Sequence, residues 1–387
     1  MYEQDPEKAK ANMTKNQIGL DREHTMKHNL SQAGRQAGRQ AGRQAGSYNA
    51  IDLFKFLFSL AVVSIHTIPL ERCTVVWLIN LNEAIVRLAV PFFFITMGFF
   101  LGKKMNDGAK RETVIKVRVR TLLRMYMTWM LIYFPIHIFH ALYVGTAPVT
   151  FALTTFLGLV FVGQQYNSWM LWYLLSSIYA LVTLMLIEQR TGLNRRKLIW
   201  ISFIALLMST IFAYAGGLDS GVTGILATIR RGSISVLSSG RILQGLIFIP
   251  IGMLYADEKN SLRLESSACL FVAGVIGRMA IQNPVTNLIF TTVSSIGLIS
   301  LVLSIRLSDI RFGGGQSIFK VLRSMSLTIY LTHLFVWTVY YTLVYGEKTY
   351  GIDSFLVTSV LCIVIGVGYW SITQRQSKEQ ARCTERS

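Results

Sequence analysis

Ten long apolar blocks constrain this chain more than any other feature of its sequence. A helix rises 1.5 Å per residue, so crossing the hydrocarbon core of a bilayer takes about 20 residues, and the blocks have roughly that length. The blocks are 50–70, 84–102, 120–143, 169–187, 198–216, 241–256, 267–281, 286–305, 322–345 and 353–372. Only 15% of the residues are charged, against about 25% in a soluble domain. The sequence therefore predicts an all-α polytopic membrane helical bundle with about ten transmembrane helices.

An eleventh apolar stretch, 149–163, is shorter and is bounded by Pro148 and Gly163. With ten spans and an internal N-terminus, 29 of the 38 Lys and Arg residues fall in segments predicted to be cytoplasmic and 4 in external ones. This bias fits the positive-inside rule, whereas an eleventh span would largely reverse it beyond residue 163. We therefore expect 149–163 to be re-entrant or interfacial and both termini to be cytoplasmic. The same bias accounts for the net charge of +18 without a nucleic-acid partner.

The segments outside the apolar blocks set the domain boundaries. Residues 1–47 are polar and repeat the unit Gln-Ala-Gly-Arg, which has no side chain that could build a core. We predict a disordered basic tail there, either an arm that touches anionic lipid or a solvated segment. Residues 48–372 form the predicted membrane domain, and 373–387 a short cytoplasmic tail.

Ionisable residues inside the predicted spans are the first candidates for a functional site, because each costs at least ~2.5–3.5 kcal/mol at the centre of a membrane helix. Lys55 and His66 stand eleven residues apart on the first span, close to three helical turns. They therefore share one face, roughly 16 Å apart along the axis. In one interpretation, Lys55 binds an anionic group and His66 is a proton acceptor higher on the same face. In the other, Lys55 extends to the lipid headgroups and His66 ends the helix before Pro69.

Other polar residues within the apolar blocks leave similar alternatives open. Arg87 lies one turn before Pro91, so it either binds a freed carbonyl or a ligand anion, or lies at the membrane interface. Trp172 and Tyr173 are typical of an interfacial aromatic belt but could also line a cavity. The remaining ionisable or polar candidates are Asp52, Arg124, His137, His140, Arg241, Arg278, Tyr330 and His333. We assign no role to Arg124 and Arg278, and we favour an interfacial position for His137 and His140, since a third metal ligand is lacking nearby.

Several motifs of soluble enzymes are absent from the sequence. It contains no GxxxxGK[ST], HExxH, GxSxG or dinucleotide-binding pattern. ATP-driven transport and hydrolysis of the soluble type are therefore unsupported.

The polar blocks resemble, in order and spacing, the integral-membrane acyltransferase family 3. The matching segments are Ile51-Asp52-Leu-Phe-Lys55 with His66, Arg87-x-x-Val-Pro91-Phe-Phe-Phe94, Trp172-Tyr173, Arg241 and Tyr330-x-x-His333. The family includes O-acetyltransferases of bacterial surface polysaccharides and peptidoglycan, and the likeness covers about residues 48–372. Within the family the chain most resembles the membrane domain of the serine racemases of vancomycin resistance. We expect no racemase domain, because only some fifteen residues follow the last predicted span.

The resemblance implies an enzyme of the bacterial cytoplasmic membrane. It would move an acyl group, with acetyl expected, from acyl-CoA to a hydroxyl of a cell-envelope glycan or a small molecule, and it would hold no bound cofactor or metal. By the same resemblance His66 is the general base or a transient acyl carrier, and Lys55 and Arg87 bind the donor's anionic groups or the developing oxyanion. The residues implied to contact substrate or shape the cavity are Asp52, Trp172, Tyr173, Arg241, Tyr330 and His333.

Two positions depart from the family pattern. The family usually has Arg at the position of Lys55 and often has Ser at the position of Met97. The alternative function is a membrane transport domain for an amino acid such as serine. Both functions lead us to expect Lys55, His66 and Arg87 to point into one shared wet pocket.

Overall fold

The computed structural model describes residues 48–192, 194–216, 241–257, 262–311 and 317–386. Their regular structure is helical throughout, which confirms the all-α prediction. The predicted tail 1–47 lies outside the described residues. The α-helices are α1 (Asn49–Thr67), α2 (Val76–Val86), α3 (Ala89–Asn106), α4 (Arg111–Val144), α5 (Pro148–Leu157), α6 (Trp172–Thr191), α7 (Arg195–Gly216), α8 (Arg241–Tyr255), α9 (Leu264–Ala280), α10 (Pro284–Ser304), α11 (Ile318–Val344) and α12 (Ile352–Arg386).

Seven helical stretches within the described residues are long and apolar enough to cross a membrane. They are Asn49–Thr67, Val76–Asn106, Arg111–Val144, Trp169–Arg190, Pro284–Ser304, Ile318–Val344 and Ile352–Gln374. The three other predicted blocks are helical too, as α7, α8 and α9, of which α8 has 15 residues and α9 has 17. The predicted polytopic helical bundle is thus confirmed, whereas the side of the membrane on which each loop lies stays a prediction.

The predicted span 84–102 is divided between two helices. Helix α2 ends at Val86, and α3 begins at Ala89, so the break falls at Arg87 and Leu88. Pro91 consequently lies in the first turn of α3, where its missing N–H leaves no helical hydrogen bond unmade. Arg87 thus lies at the C-terminal end of α2, with its backbone still in the helical region and its N–H bonded to the Glu83 carbonyl.

The stretch 149–163 forms a short apolar element. Helix α5 is followed directly by a five-residue π-helical segment, Gly158–Val162. Fifteen helical residues extend about 22 Å, less than the ~30 Å of a hydrocarbon core. Its length is therefore in keeping with a re-entrant or interfacial piece.

Glycines allow α3 and α8 to touch backbone to backbone. A Cβ atom built at Gly98 would overlap the carbonyl of Ile249, and one at Gly252 would overlap the carbonyl of Ile95. Small residues at such positions let membrane helices approach closely. Helix α8 also packs against α6 and α7, α1 packs against α11, and α9 packs against α10. These contacts bring α1, α3, α6, α8 and α11 around one interior region.

The peripheral helices present apolar side chains outward. On α4, Leu131 is 72% exposed and Leu142 is 75% exposed. Such a surface is unfavourable in water and suits contact with lipid chains.

At the other end of the chain, α12 continues to Arg386, so the backbone of the predicted tail 373–387 is helical up to that residue.

Candidate active site

Two neighbouring cavities occupy the interior, and α1 contributes a polar side chain to each. The lysine cavity, of about 310 Å³, is lined by Lys55 together with Lys104, Arg118 and Arg323. The histidine cavity, of about 450 Å³, is lined by His66 together with Arg87, Arg278 and Asn287. Lys55 and His66 share a face of α1 as the eleven-residue spacing predicts. The expectation that Lys55, His66 and Arg87 share one pocket is wrong, because Lys55 lies in the adjoining cavity.

Three aromatic side chains line both cavities and form the wall between them. They are Phe93 of α3, Tyr173 of α6 and Tyr330 of α11. The Tyr173 and Tyr330 ring centroids are 5.8 Å apart, and those of Phe93 and Tyr173 are 6.3 Å apart. The Tyr330 hydroxyl donates a hydrogen bond to the Met170 carbonyl. We call these three residues, which lie where the two cavities meet, the aromatic wall.

The lysine cavity is strongly cationic. The Lys55 ammonium lies 4.6 Å from the centroid of the Phe100 ring, so the side chain points into the protein and not outward to headgroups. Arg118 Nε donates to Met97 Sδ at 3.4 Å, and a thioether is a weak acceptor. Met97, at the position where the family often has Ser, thus contacts an arginine. Four cations around one cavity favour binding of an anionic group there.

Asp52 acts on the lysine cavity through Arg323 and does not line the cavity. Its carboxylate is 2% exposed and accepts two hydrogen bonds from Arg323, from Nε at 2.8 Å and from Nη2 at 2.5 Å. This two-pronged geometry fixes the plane of the guanidinium. The side chain of Arg323 is 55% exposed, so its other edge remains open to the cavity. Asp52 is therefore a positioning residue in this structure.

His66 lies against two other rings at the end of α1. Its ring centroid is 5.2 Å from that of His333 and 6.2 Å from that of Trp169. His333 is 1% exposed, and its Nδ1 lies 2.8 Å from the Tyr330 carbonyl oxygen. His333 thus lies behind His66 instead of lining a cavity. Among the described residues its Nε2 has no hydrogen-bond partner.

The cationic groups of the histidine cavity share one carboxylate. Arg87 Nη2 lies 3.4 Å from Oε1 of Glu83, and Arg278 Nη2 donates to the same oxygen at 3.4 Å. The side chain of Arg278 is only 10% exposed. Both contacts are long for charge-assisted hydrogen bonds, which are usually about 2.7–2.9 Å. The guanidiniums are therefore only partly neutralised.

An aromatic cage lies next to His66. The ammonium of Lys348, in the loop between α11 and α12, lies 4.5 Å from the Trp169 ring centroid, 5.0 Å from that of Trp337 and 5.2 Å from that of Tyr350. Each contact is within the range of a cation–π interaction. Trp169 therefore contacts the lysine of this loop as well as His66.

The remaining predicted residues fall in different places. Trp172 lines the histidine cavity, so of the two positions considered for it, the membrane interface and a cavity, it occupies the cavity. Helix α8 begins at Arg241, but the side chain of that residue lies outside the described part of the structure. His140 stacks on Tyr166, and His137 Nε2 lies 3.0 Å from the Thr155 hydroxyl. Neither histidine lines either cavity, and no cluster of three metal-ligating side chains occurs among the described residues.

Sequence reasoning missed several cavity residues. Arg118 and Lys104 lie in the basic segment 103–120, for which the sequence leaves two explanations open, attraction of the CoA phosphates or membrane topology alone, and singles out neither residue. Arg323 could have been found, because a buried carboxylate such as Asp52 needs a cationic partner. Arg278 stands out in the sequence as an ionisable residue within a predicted span, although no role follows from that position alone. Phe93 and Asn287 carry no signal in a single sequence that separates them from other residues of apolar helices.

The fold and these cavities define a membrane-embedded helical protein with polar groups on both sides of an aromatic wall. A family model described as an acyltransferase domain matches residues 48–373. The chain belongs to that family, acyltransferase family 3, which confirms the resemblance found in its sequence.

Curated relatives include two amino-acid racemases from Enterococcus faecalis. One is 33% identical over 34% of this chain and 17% of its own length, and the other is 31% identical over 36% and 19%, respectively. A serine/alanine racemase from Enterococcus gallinarum is 24% identical over 59% of this chain and 32% of its own length. The chain thus spans about a third or less of the length of these relatives. No solved structure matches it significantly.

Proposed function

We propose that this protein transfers an acyl group, with acetyl the expected group, from a CoA thioester to a hydroxyl of a cell-envelope glycan or a small molecule. Membership of the acyltransferase family supports the reaction class. The observation that carries the proposal is the pair of cavities on α1, with Lys55 in one, His66 in the other and the aromatic wall between them.

The donor binds in the lysine cavity. CoA carries several phosphate charges, and Lys55, Lys104, Arg118 and Arg323 provide the matching cations. In the predicted topology this cavity opens toward the cytoplasm, because Lys104 and Arg118 belong to the basic segment 103–120. The thioester then lies between the rings of the aromatic wall, where its carbonyl reaches the histidine cavity, and its phosphates lie farther away.

The acceptor hydroxyl binds in the histidine cavity beside His66. The His66 imidazole accepts the hydroxyl proton while the oxygen attacks the thioester carbonyl carbon. The carbonyl π pair moves to oxygen and returns as the carbon–sulfur bond breaks, so an ester and a CoA thiolate form. The thiolate takes up a proton, and the imidazolium of His66 returns to its neutral form. Arg87 lines the same cavity and is placed to stabilise negative charge on oxygen.

A direct test is transfer of radiolabelled acetyl from acetyl-CoA in membranes that contain the full chain. His66→Ala should lose at least about a hundredfold in rate, as expected for loss of a general base. His140→Ala is the matched control, because His140 stacks on Tyr166 and lines neither cavity. Full transfer by His66→Ala would reject the catalytic assignment.

A transport function has one observation in its favour: two adjoining cavities that each carry polar groups, with the aromatic wall between them, also resemble a closed permeation path. The curated relatives are named as racemases of amino acids, in one case of serine and alanine, so serine is the cargo to test first. Flux of labelled serine into proteoliposomes without CoA would support transport, whereas acetyl incorporation without flux would support the enzyme.

A further inference from the structure

The histidine cavity contains a buried cation whose hydrogen-bonding groups are incompletely used. Arg278 donates from Nη1 to the Thr291 hydroxyl at 3.1 Å and to the Asn287 carbonyl at 3.4 Å. Its third contact is the 3.4 Å hydrogen bond from Nη2 to Glu83. Arg278 Nε is buried and has no partner among the described residues. An unmet donor on a buried guanidinium is costly, which indicates that something else completes this site.

The charges around Arg278 also indicate that a further group binds in this cavity. Glu83 is the carboxylate that both Arg87 and Arg278 contact, and both contact the same oxygen, Oε1. Two guanidiniums against one carboxylate leave one positive charge uncompensated among these described residues. An uncompensated charge in a partly enclosed cavity attracts an anion far more strongly than it would in water.

A hydrogen-bond acceptor next to Arg278 also lacks a partner among the described residues. Asn287 lines the histidine cavity close to Arg278, and its side-chain oxygen Oδ1 is buried and has no hydrogen-bond donor in the part of the chain that the structure describes. A hydroxyl group is a donor that could satisfy this oxygen. The cavity therefore combines the guanidinium of Arg278, the Asn287 Oδ1 atom, which accepts no hydrogen bond from the described residues, and His66 at the end of α1.

We propose that the histidine cavity binds a small hydroxylated carboxylate through Arg278 and Arg87, with a hydroxyl of the ligand directed at Asn287 or His66. One uncompensated positive charge matches a carboxylate monoanion, and the planar guanidinium fork matches the two oxygens of a carboxylate. This inference rests on the proposed function only in treating the histidine cavity as the acceptor site. It narrows the acceptor from any hydroxyl compound to one that carries a carboxylate close to the reacting hydroxyl.

The test compares two probes that differ only in the anionic group. Glycerate and glycerol are titrated separately into the purified full chain in nanodiscs, in a buffer free of carboxylates and without acyl donor, and binding is followed by calorimetry. We expect glycerate to bind at least about tenfold more tightly than glycerol, the difference that hydrogen bonds to a charged group provide. Equal binding of the two probes would overturn the proposal. Inorganic phosphate serves as a third probe, and binding of phosphate in preference to glycerate would overturn the assignment to a carboxylate.

Two variants should change glycerate affinity in opposite directions. Arg278→Gln should weaken binding about tenfold or more. Glu83→Gln removes the carboxylate that competes for both guanidiniums, so it should tighten binding by about threefold or more even with the screening of water. If this cluster had only a structural role, both variants would bind glycerate more weakly. Arg124→Gln is the matched control, since Arg124 is exposed on α4 and lines neither cavity.

A second variant at the same position serves if Arg278→Gln fails to fold. Arg278→Lys keeps the charge and loses the fork, and it should still weaken glycerate binding severalfold. Unchanged binding in Arg278→Lys and in Glu83→Gln would reject the site. His66→Ala separates the two proposals, because it should slow acetyl transfer at least about a hundredfold, whereas the preference for glycerate over glycerol, which Arg278 and Arg87 supply, should remain. Loss of glycerate selectivity with normal acetyl transfer would remove this inference alone.

Discussion

At the scale of single residues, the structure explains how a carboxylate can be tolerated inside a cationic region. Asp52 is nearly fully buried on α1, yet its two oxygens accept both prongs of Arg323. Burial of an acid carries a desolvation penalty that such a partner offsets, and the buried charge becomes costly if the partner is removed. The pair also connects the first predicted span with α11, 271 residues away in sequence.

Removing the charge of Asp52 should loosen the lysine cavity. Asp52→Asn keeps the shape of the side chain and loses the ionic contact, so Arg323 is no longer held in one plane. We expect KM for acetyl-CoA to rise severalfold with a smaller change in kcat, and the free energy of unfolding to fall by about 1–2 kcal/mol, since Arg323 is half exposed. Kinetics and thermal unfolding in detergent check both effects. Asp309→Asn, which breaks an exposed pair with Arg311, is the control and should change neither quantity.

Lys55 offers a gain-of-function test at the same scale. Lys55→Arg restores the residue usual in the family and supplies two prongs for a phosphate, so KM for acetyl-CoA should fall about threefold. Lys55→Gln removes the charge and should raise KM about tenfold. Lys116→Gln is the control, because that lysine pairs with Glu112 and lines neither cavity. If KM is the same for both Lys55 variants, this lysine does not bind the donor.

At the scale of helices, the position of the cavities depends on how closely α3 and α8 approach. Gly98→Ala should destabilise the protein by about 1–3 kcal/mol, because the added methyl group overlaps the Ile249 carbonyl. Gly368→Ala is the matched control on α12, where a Cβ atom meets nothing within 4 Å. Thermal unfolding of the two variants in the same detergent measures the difference. Equal stability would show that the backbone contact of α3 and α8 is not needed.

Helix positions were predictable from the sequence, whereas the partition of polar residues between two cavities was not. Apolar blocks of nearly spanning length predict helices, because an unpaired backbone is too costly in lipid. The common face of Lys55 and His66 followed from helical periodicity alone. The aromatic wall did not, because it needs side chains from α3, α6 and α11 that lie far apart in the chain. The break between α2 and α3 was not predicted either, because the apolar residues continue across it.

At the scale of the whole molecule, the aromatic wall determines what can pass between the cavities. Phe93→Ala should join them and make room for a longer acyl chain, so the ratio of butyryl to acetyl transfer should rise about tenfold. Phe93→Trp should lower the same ratio. Phe139→Ala is the control, since Phe139 is 73% exposed on α4. A ratio that does not respond to either Phe93 variant would show that the acyl group does not contact this wall.

The predicted topology can be checked with the chain's own cysteines. Cys73 lies in the loop between α1 and α2, which the charge bias places outside, and Cys383 lies near the C-terminal end, which it places inside. A membrane-impermeant maleimide should label Cys73 in intact cells and Cys383 only in inverted vesicles. Substituting each cysteine with Ser identifies the labelled site. The opposite pattern would reverse the orientation and with it the side from which the donor enters.

The cage around Lys348 also bears on protease sensitivity. Trypsin cleaves after a lysine only when that side chain enters the protease's own recognition pocket, and here the ammonium is held over Trp169, Trp337 and Tyr350. The surface loop between α11 and α12 should therefore resist digestion as long as the cage is intact, although Lys348 itself is exposed. Because Trp169 also packs on His66, the onset of cleavage at this lysine would report that the surroundings of the histidine have opened.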